Sequence, residues 1–326
     1  MPTTMKAPAA VPAPVKVSTE DTVESPPPVE VATPQIIVPP PAQVIRPASP
    51  KFTFSLKRAS EHESWLKMLV YGQYGSGKSY FAGTAADVPQ MRDVLYLDAE
   101  AGSMTIANRG SEIDIIPIKD FEALDQVKQF LILHCQRRDR GDIEGMRALE
   151  EQLRGEKVET PKQYHCVAID SVSELGKMMM ARLLGVSPDT SNLDAQIEDA
   201  TFSHWGQASQ RIQLMVRAFR AIPIHVVFVA SEKMKEDERK QQRIMLNLSG
   251  QLANDVQGFL DVVGYLVSLP GPNGTQARRM FLQPGMWAGA SFNAKHRFSG
   301  INIAHIDDPT MSDIYELLQL MKKGTN

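Results

Sequence analysis

The fold class is decided by residues 66–79, which read Leu66-Lys67-Met68-Leu69-Val70-Tyr71-Gly72-Gln73-Tyr74-Gly75-Ser76-Gly77-Lys78-Ser79. The first part, Leu66 to Tyr71, is a short apolar run typical of a β-strand covered on both faces. The second part fits the pattern G-x-x-x-x-G-K-[ST] in full, and a helical pattern follows it. Strand, glycine-rich loop and helix in this order predict a loop whose backbone N–H groups surround a chain of phosphates.

The side chains of this loop predict a nucleotide and a metal ion as ligands. Lys78 is placed to reach the β- and γ-phosphates, and the Ser79 hydroxyl is placed to ligate Mg²⁺. We therefore expect ATP and Mg²⁺ as ligands and ATP hydrolysis as the activity. The expected nucleotide-binding residues are Gly72, Gln73, Tyr74, Gly75, Ser76, Gly77, Lys78, Ser79 and Tyr80.

A second apolar strand ends in an acidic residue, in the run from Tyr164 to Ser171 that contains Asp170. A strand of this form, about ninety residues after such a loop, is typical of a Walker B element, whose aspartate holds Mg²⁺ through water. The alternative is that Asp170 only caps the next helix. We assign Asp170 to Mg²⁺ together with Ser79.

A third strand, from Val94 onward, ends in Asp98-Ala99-Glu100. Its two carboxylates are two residues apart and lie on one face if the strand continues. Hydrolysis needs a group that takes a proton from water beside the γ-phosphate. Because no glutamate follows Asp170 directly, Glu100 is the candidate, and the alternative is a solvated strand end.

The order of these three motifs resembles the RecA family. In that family the glutamate that corresponds to Glu100 activates water, which implies the same role here. Residues 51–320 also resemble the compact RecA-like ATPases of bacteriophages, some of which are single-strand-annealing recombination proteins. The resemblance implies an α/β fold of the RecA-like P-loop NTPase type, with a mostly parallel central sheet flanked by helices.

Two further segments bear on a role with DNA. After the strand at 225–229 come Ser231 and Glu232, where RecA-like proteins place a polar residue that senses the γ-phosphate, and either residue can serve. The predicted loop from 233 to 243 is similar to a mobile DNA-contacting loop, which implies single-stranded DNA as a partner. The alternative is a solvated charged turn, since the loop has no aromatic residue for base stacking. Its cationic residues are Lys233, Lys235, Arg239, Lys240 and Arg243.

Near the C-terminus, Lys295-His296-Arg297 resembles the K-x-R element of RecA-like and replicative-helicase ATPases. There the two cations enter the site of a neighbouring subunit and neutralise charge on the transferred phosphate. Alternate residues of a strand point the same way, as Lys295 and Arg297 must for this role. The resemblance implies a homo-oligomer, and the alternative is an exposed basic edge.

The rest of the chain from residue 51 follows the pattern of alternating strands and helices. We expect one ATPase domain over residues 51–326, with a charged, solvated insertion at about 137–162 and a β-hairpin formed by 261–269 and 278–283. The remaining expected elements are core strands at 113–117 and 225–229 and helices at 79–86, 121–136, 172–184 and 204–221.

Residues 1–50 hold 13 of the 22 prolines and no aromatic residue. Such a composition cannot bury enough surface to order itself, so we expect a disordered tail with polyproline II character. It serves either as a solvated tether or as a docking peptide for a protein partner.

The totals exclude several classes of protein. Two cysteines, Cys135 and Cys166, are too few for a tetrahedral zinc site or a disulfide scaffold. No apolar run is long enough to span a membrane, so we expect a cytoplasmic location. The leading hypothesis is a RecA-like ATPase that acts on single-stranded DNA in phage-type recombination or replication. The alternatives are a nucleotide-gated scaffold with a partner-docking tail and a helicase or packaging motor subunit.

Overall fold

A computed structural model of the chain describes residues 56, 58, 65–186, 200–236, 240–271 and 274–324. Contacts divide the chain into two units, 1–58 and 59–326, and the fold below is that of the second unit. The predicted proline-rich tail at 1–50 lies outside the described residues.

A central sheet organises this unit. Its strands are β1 Lys67–Gly72, β2 Val94–Asp98, β3 Ile113–Pro117, β4 Cys166–Asp170, β5 His225–Glu236, β6 Gln242–Leu246, β7 Val262–Pro270, β8 Gln276–Phe281, β9 Gly285–Trp287, β10 Ala290–Phe292, β11 Lys295–His296 and β12 His305–Asp307. The main path runs β12-β8-β7-β1-β5-β4-β2-β3. The six strands from β7 to β3 are parallel, and β7 and β8 form an antiparallel hairpin at one end. The predicted α/β fold with a mostly parallel sheet and a C-terminal hairpin is confirmed.

Helices cover both faces of the sheet. They are α1 Lys78–Gly83, α2 Phe121–Asp139, α3 Ile143–Arg154, α4 Val172–Leu183, α5 Phe202–Ala221, α6 Leu252–Phe259 and α7 Met311–Gly324. Alternate residues of β1 enter different cores, because Leu69 packs with residues of α2, α4 and α5 whereas Met68 packs with residues of α1 and α7. This alternation explains why the strand reads as apolar throughout. Among the described residues, no helix has the length and apolar composition to cross a membrane.

The parallel strands bring the sequence motifs to one edge of the sheet. β1, β2 and β4 end at Gly72, Asp98 and Asp170, and the register pairs Asp98 with Asp170 and Gly72 with Ser231. Carboxyl ends of parallel strands meet at the same edge, where ligands of open α/β sheets bind. Residues more than 150 positions apart in sequence therefore become neighbours.

The predicted insertion at 137–162 is more integrated than its charge suggested. α2 continues to Asp139, and α3 buries Met146 and Glu150. The Glu150 carboxylate accepts hydrogen bonds from Arg154 Nε and from the backbone N–H of Lys162, both at 2.8 Å. Only the outer face of this segment is solvated, because its inner face is held by these contacts.

Candidate functional site

The loop between β1 and α1 requires glycine at two positions for different reasons. Gly77 has φ 94°, a left-handed conformation that side chains disfavour. Gly72 has an ordinary φ, but a Cβ there would lie 2.1 Å from the carbonyl oxygen of Leu266 on β7. Ser76 beside them has a buried hydroxyl with no hydrogen-bond partner in the described residues. The loop is thus tightly seated against the sheet and retains an unused hydrogen-bonding group.

Lys78 is buried inside this loop. Its Nζ donates to the carbonyl oxygens of Gly72 at 3.1 Å and Gln73 at 2.7 Å. Burial lowers the pKa of Lys78. That lowering is opposed by three nearby carboxylates, those of Asp170, Glu100 and Glu232. A phosphate that enters the loop would replace loop carbonyls with charged partners for the same ammonium group.

Ser79 and Asp170 meet across the edge of the sheet. The Ser79 hydroxyl donates to Asp170 Oδ2 at 2.5 Å, and the buried Tyr96 hydroxyl donates to the same oxygen. The other oxygen, Oδ1, is buried and has no hydrogen-bond partner in the part of the chain that the structure describes. Burial raises the pKa of Asp170, against the effect of the two hydroxyls.

This arrangement fits Mg²⁺. The described residues contain no group of three His, Cys, Asp or Glu side chains that could hold a metal ion by themselves. Mg²⁺ is commonly held by one or two protein oxygens together with water and substrate phosphates. The Ser79 hydroxyl oxygen and the unpartnered carboxylate oxygen of Asp170 are protein oxygens that can serve as Mg²⁺ ligands in this way.

Glu100 and Asp98 have separate surroundings, because the strand does not continue to Glu100, as it would have to for both carboxylates to lie on one face. β2 ends at Asp98, whose carboxylate accepts from the backbone N–H groups of Gly102 at 3.1 Å and Ser103 at 3.0 Å. The chain therefore turns directly after Asp98. Glu100 is exposed and accepts a hydrogen bond from the Ser171 hydroxyl, next to Asp170.

The two sensor candidates also differ. Ser231 is buried, its N–H donates to Ser173 Oγ at 3.1 Å, and its hydroxyl accepts from Asn247 Nδ2 at 3.3 Å. Glu232 has one buried oxygen without a hydrogen-bond partner among the described residues, and its carboxylate lies close enough to Lys78 to affect the pKa of Lys78. Of the two candidates, Glu232 is therefore the one with a polar atom that can accept a new hydrogen bond.

The predicted mobile loop at 233–243 is wrong at both of its ends, because residues 233–236 and 242–243 lie in strands. β5 runs on to Glu236, and β6 returns antiparallel to it, so Lys233 and Lys235 lie on one strand and Arg243 on the other. Lys235, Lys240 and Arg243 are exposed, whereas Lys233 Nζ bonds to a backbone carbonyl. Arg239 lies outside the described residues. Lys233, Lys235 and Arg243 thus lie on two antiparallel strands, the first of which continues from Ser231 and Glu232.

Arg297 lies at the opposite edge of the sheet from the glycine-rich loop, and Lys295 lies level with the middle of β1, because it pairs with Val263, which pairs with Leu69. β11 pairs with the start of β7, and Arg297 contacts Asp261 at 3.4 Å. The backbone N–H of Asp261 donates to the carbonyl of Lys67, so Asp261 lies beside the first residue of β1. Gly72 is five strand residues further along β1, so the distance from Lys67 to Gly72 along the strand is about 16 Å. Burial lowers the pKa of Lys295, Arg297 adds to the lowering and Asp261 opposes it, so the two cations are close together.

Sequence reasoning missed two side chains of the site. Tyr96 was counted only as part of an apolar strand, although its hydroxyl holds Asp170. Arg278 lies about two hundred residues after the loop, yet its guanidinium packs against Gly77 and the ring of Tyr80. No local pattern marks either residue, because both contacts depend on strand order.

A family model described as an AAA domain matches residues 64–287. No curated protein matches the sequence. Among solved structures, the chain is similar to the flagellar accessory protein FlaH from Methanocaldococcus jannaschii, with 10% identity, TM-score 0.35 and coverage of 74% of this chain and 83% of that one. It is also similar to the RadB recombinase, with 15% identity, TM-score 0.37 and coverage of 74% of this chain and 84% of that one.

Proposed function

The chain belongs to the family of AAA domains, and on that premise we propose that it binds and hydrolyses ATP with Mg²⁺ at residues 72–79. The observation that carries the proposal is the meeting of Lys78, Ser79, Glu100 and Asp170 at one edge of the sheet. They come from three separate segments and include a buried ammonium group, a hydroxyl and two carboxylates. This set can hold a triphosphate and take a proton from water.

The chain's own residues divide the chemistry between them. Lys78 neutralises the β- and γ-phosphates, and the loop N–H groups orient them. Mg²⁺, when bound by Ser79 and Asp170, supplies positive charge that stabilises the leaving group. Glu100 is exposed, so water reaches it, and the Ser171 hydroxyl holds its carboxylate beside β4. Glu100 accepts the proton of the attacking water.

We further propose that this ATPase acts on single-stranded DNA in phage-type recombination or replication, with the β5–β6 hairpin as the DNA contact. Support comes from the exposed cations Lys235, Lys240 and Arg243 and from strand β5, which carries Lys235 and also Ser231 and Glu232 beside the nucleotide site. A change at the γ-phosphate can therefore reach the hairpin through one continuous strand.

Replacement of Lys235, Lys240 and Arg243 by Gln is expected to weaken binding of single-stranded DNA and to flatten its salt dependence. Each lost phosphate contact lowers the log–log slope by roughly 0.7. Fluorescence anisotropy with a labelled oligo(dT) at several salt concentrations measures both effects. The control variant has Lys128, Arg147 and Arg279 replaced by Gln, so it loses the same number of positive charges at positions outside the β5–β6 hairpin. Equal affinity and slope in wild type and hairpin variant would favour the nucleotide-gated scaffold.

We propose that Arg297, with Lys295, acts on the nucleotide of a neighbouring subunit in a homo-oligomer. The distance from its own loop supports this, since an arginine side chain cannot bridge about 16 Å along the strand direction. Its exposure of 49% leaves the guanidinium accessible to a neighbour. The pairing with Asp261 holds it at the surface.

Arg297→Ala is therefore expected to retain ATP binding, lose turnover, and recover some activity when mixed with Lys78→Ala. A mixed interface joins an intact loop from one subunit to an intact Arg297 from the other, as an arginine finger acting in trans requires. Steady-state phosphate release is measured for each variant and the mixture, with Arg279→Ala as the control. A mixture that co-assembles by size-exclusion chromatography but shows no recovery would remove the oligomeric mechanism.

A further inference from the structure

The order of the strands gives the nucleotide site two distinct sides. On one side of β1 lie β5, β4 and β2, which carry Asp170 and lead to Glu100. On the other side lie β7 and β8, whose hairpin touches the loop where Gln276 Nε2 donates to the Gly75 carbonyl at 3.5 Å. If the γ-phosphate lies beside Asp170, as in the proposed function on which this inference rests, the nucleoside end extends towards β8.

Arg278 of β8 occupies that second side. Its guanidinium carbon lies 4.8 Å from the centre of the Tyr80 ring, directly after the glycine-rich loop. A Cβ on Gly77 would lie 2.3 Å from Arg278 Nε, so the arginine rests against the bare backbone of the loop. Nε is buried and has no hydrogen-bond partner in the described residues. An unsatisfied donor beside a ligand loop gains from an acceptor that a ligand supplies.

Both Arg278 and Tyr80 are held in place by residues outside the glycine-rich loop. The Arg278 backbone N–H donates to Asp308 Oδ1 at 2.8 Å, and its carbonyl accepts from the Asp308 N–H at 2.7 Å. The guanidinium carbon of Arg109 also lies 5.0 Å from the centre of the Tyr80 ring. Arg109 is itself paired with Asp87. A planar cation on a fixed ring is a pre-formed surface for another flat group.

We propose that Arg278 and Tyr80 form the subsite for the nucleoside half of the nucleotide. The base stacks on the guanidinium of Arg278, and Nε–H donates to an oxygen of the sugar. The triphosphate is bound by the loop, so Arg278 adds affinity for a nucleotide and none for a bare phosphate chain. The next residue, Arg279, lies outside this subsite, because its guanidinium binds both oxygens of Asp307 at 2.6 and 3.0 Å.

The test compares ATP with inorganic tripolyphosphate, each titrated calorimetrically with Mg²⁺ into the full chain. Wild type is expected to bind ATP more tightly than tripolyphosphate. Arg278→Ala is expected to weaken ATP binding by roughly tenfold and to leave tripolyphosphate binding unchanged. Arg278→Lys, which keeps the charge but loses the plane, is expected to weaken ATP in the same selective way. Arg279→Ala is the matched control and is expected to change neither.

Each other outcome has a separate meaning. An equal loss for both ligands in Arg278→Ala would make Arg278 a phosphate contact and overturn the subsite, provided that the thermal unfolding midpoint is unchanged. Unchanged ATP binding in that variant, or wild-type binding of ATP no tighter than tripolyphosphate, would also overturn it. If wild type binds neither ligand, the proposed ATPase function fails first and the subsite fails with it.

Discussion

Glu100→Gln is expected to lower ATP hydrolysis by at least about 10²-fold and to leave ATP binding close to wild type. The amide keeps the shape of the side chain and its contact with the Ser171 hydroxyl, but it cannot take a proton from water. Phosphate release and calorimetric binding of ATP are measured side by side. Glu174→Gln is the control, because Glu174 lies near Ser171 in sequence and its carboxylate pairs with the exposed Lys177.

A different pattern would reassign the proton acceptor. If Asp170→Asn abolishes turnover and Glu100→Gln retains it, the base is not Glu100. The loss of activity in Asp170→Asn alone does not decide the matter, since Asp170 is also the predicted Mg²⁺ residue.

Lys78→Ala is expected to weaken ATP binding by about 10²-fold or more and to abolish turnover. It removes the one ammonium group that lies inside the loop, together with its charge-assisted bonds to phosphate. ATP binding is measured by calorimetry, and thermal unfolding checks the fold, because the carbonyls of Gly72 and Gln73 lose a donor. Lys128→Ala on the outside of α2 is the control.

Wild-type ATP affinity and turnover in a folded Lys78→Ala protein would contradict the assignment of residues 72–79. If Lys78→Ala lost ATP binding and its unfolding midpoint also fell by a large amount, the loss could come either from the missing phosphate contact or from a damaged fold. Lys78→Arg, which retains a cation and its donors, separates them: the fold is expected to survive, and turnover is expected to fall because the planar group does not match the point charge.

The sequence predicted the parts of the fold that rest on local pattern. The expected strands at 66–71 and 113–117 lie within one residue of β1 and β3, and the expected strand that ends at Asp170 is β4. β1 and β4 are buried throughout, as short apolar runs between polar residues predict for covered parallel strands. The glycine-rich loop follows from eight adjacent residues. Because these strands are parallel, the residues that end them meet at one edge of the sheet.

The remainder depends on contacts that no local pattern encodes. Asp98 and Glu100 share a short motif, but a turn at residue 99 separates their roles. The basic segment reads as a polar loop, yet β6 pairs with β5 and makes it a hairpin. Arg278 joins the site only because β8 lies two strands from β1.

Phosphate release from ATP by the purified wild-type chain decides whether the chain hydrolyses ATP at residues 72–79 with Glu100 as base. The assay contains single-stranded DNA and is run with Mg²⁺ and with excess EDTA, alongside Glu100→Gln. We expect steady release with Mg²⁺, background release with EDTA, and at least about 10²-fold slower release by the variant. Wild-type protein that binds ATP but releases no phosphate would show that the chain is not an ATPase, and a Glu100→Gln protein that releases phosphate at the wild-type rate would show that Glu100 is not the base.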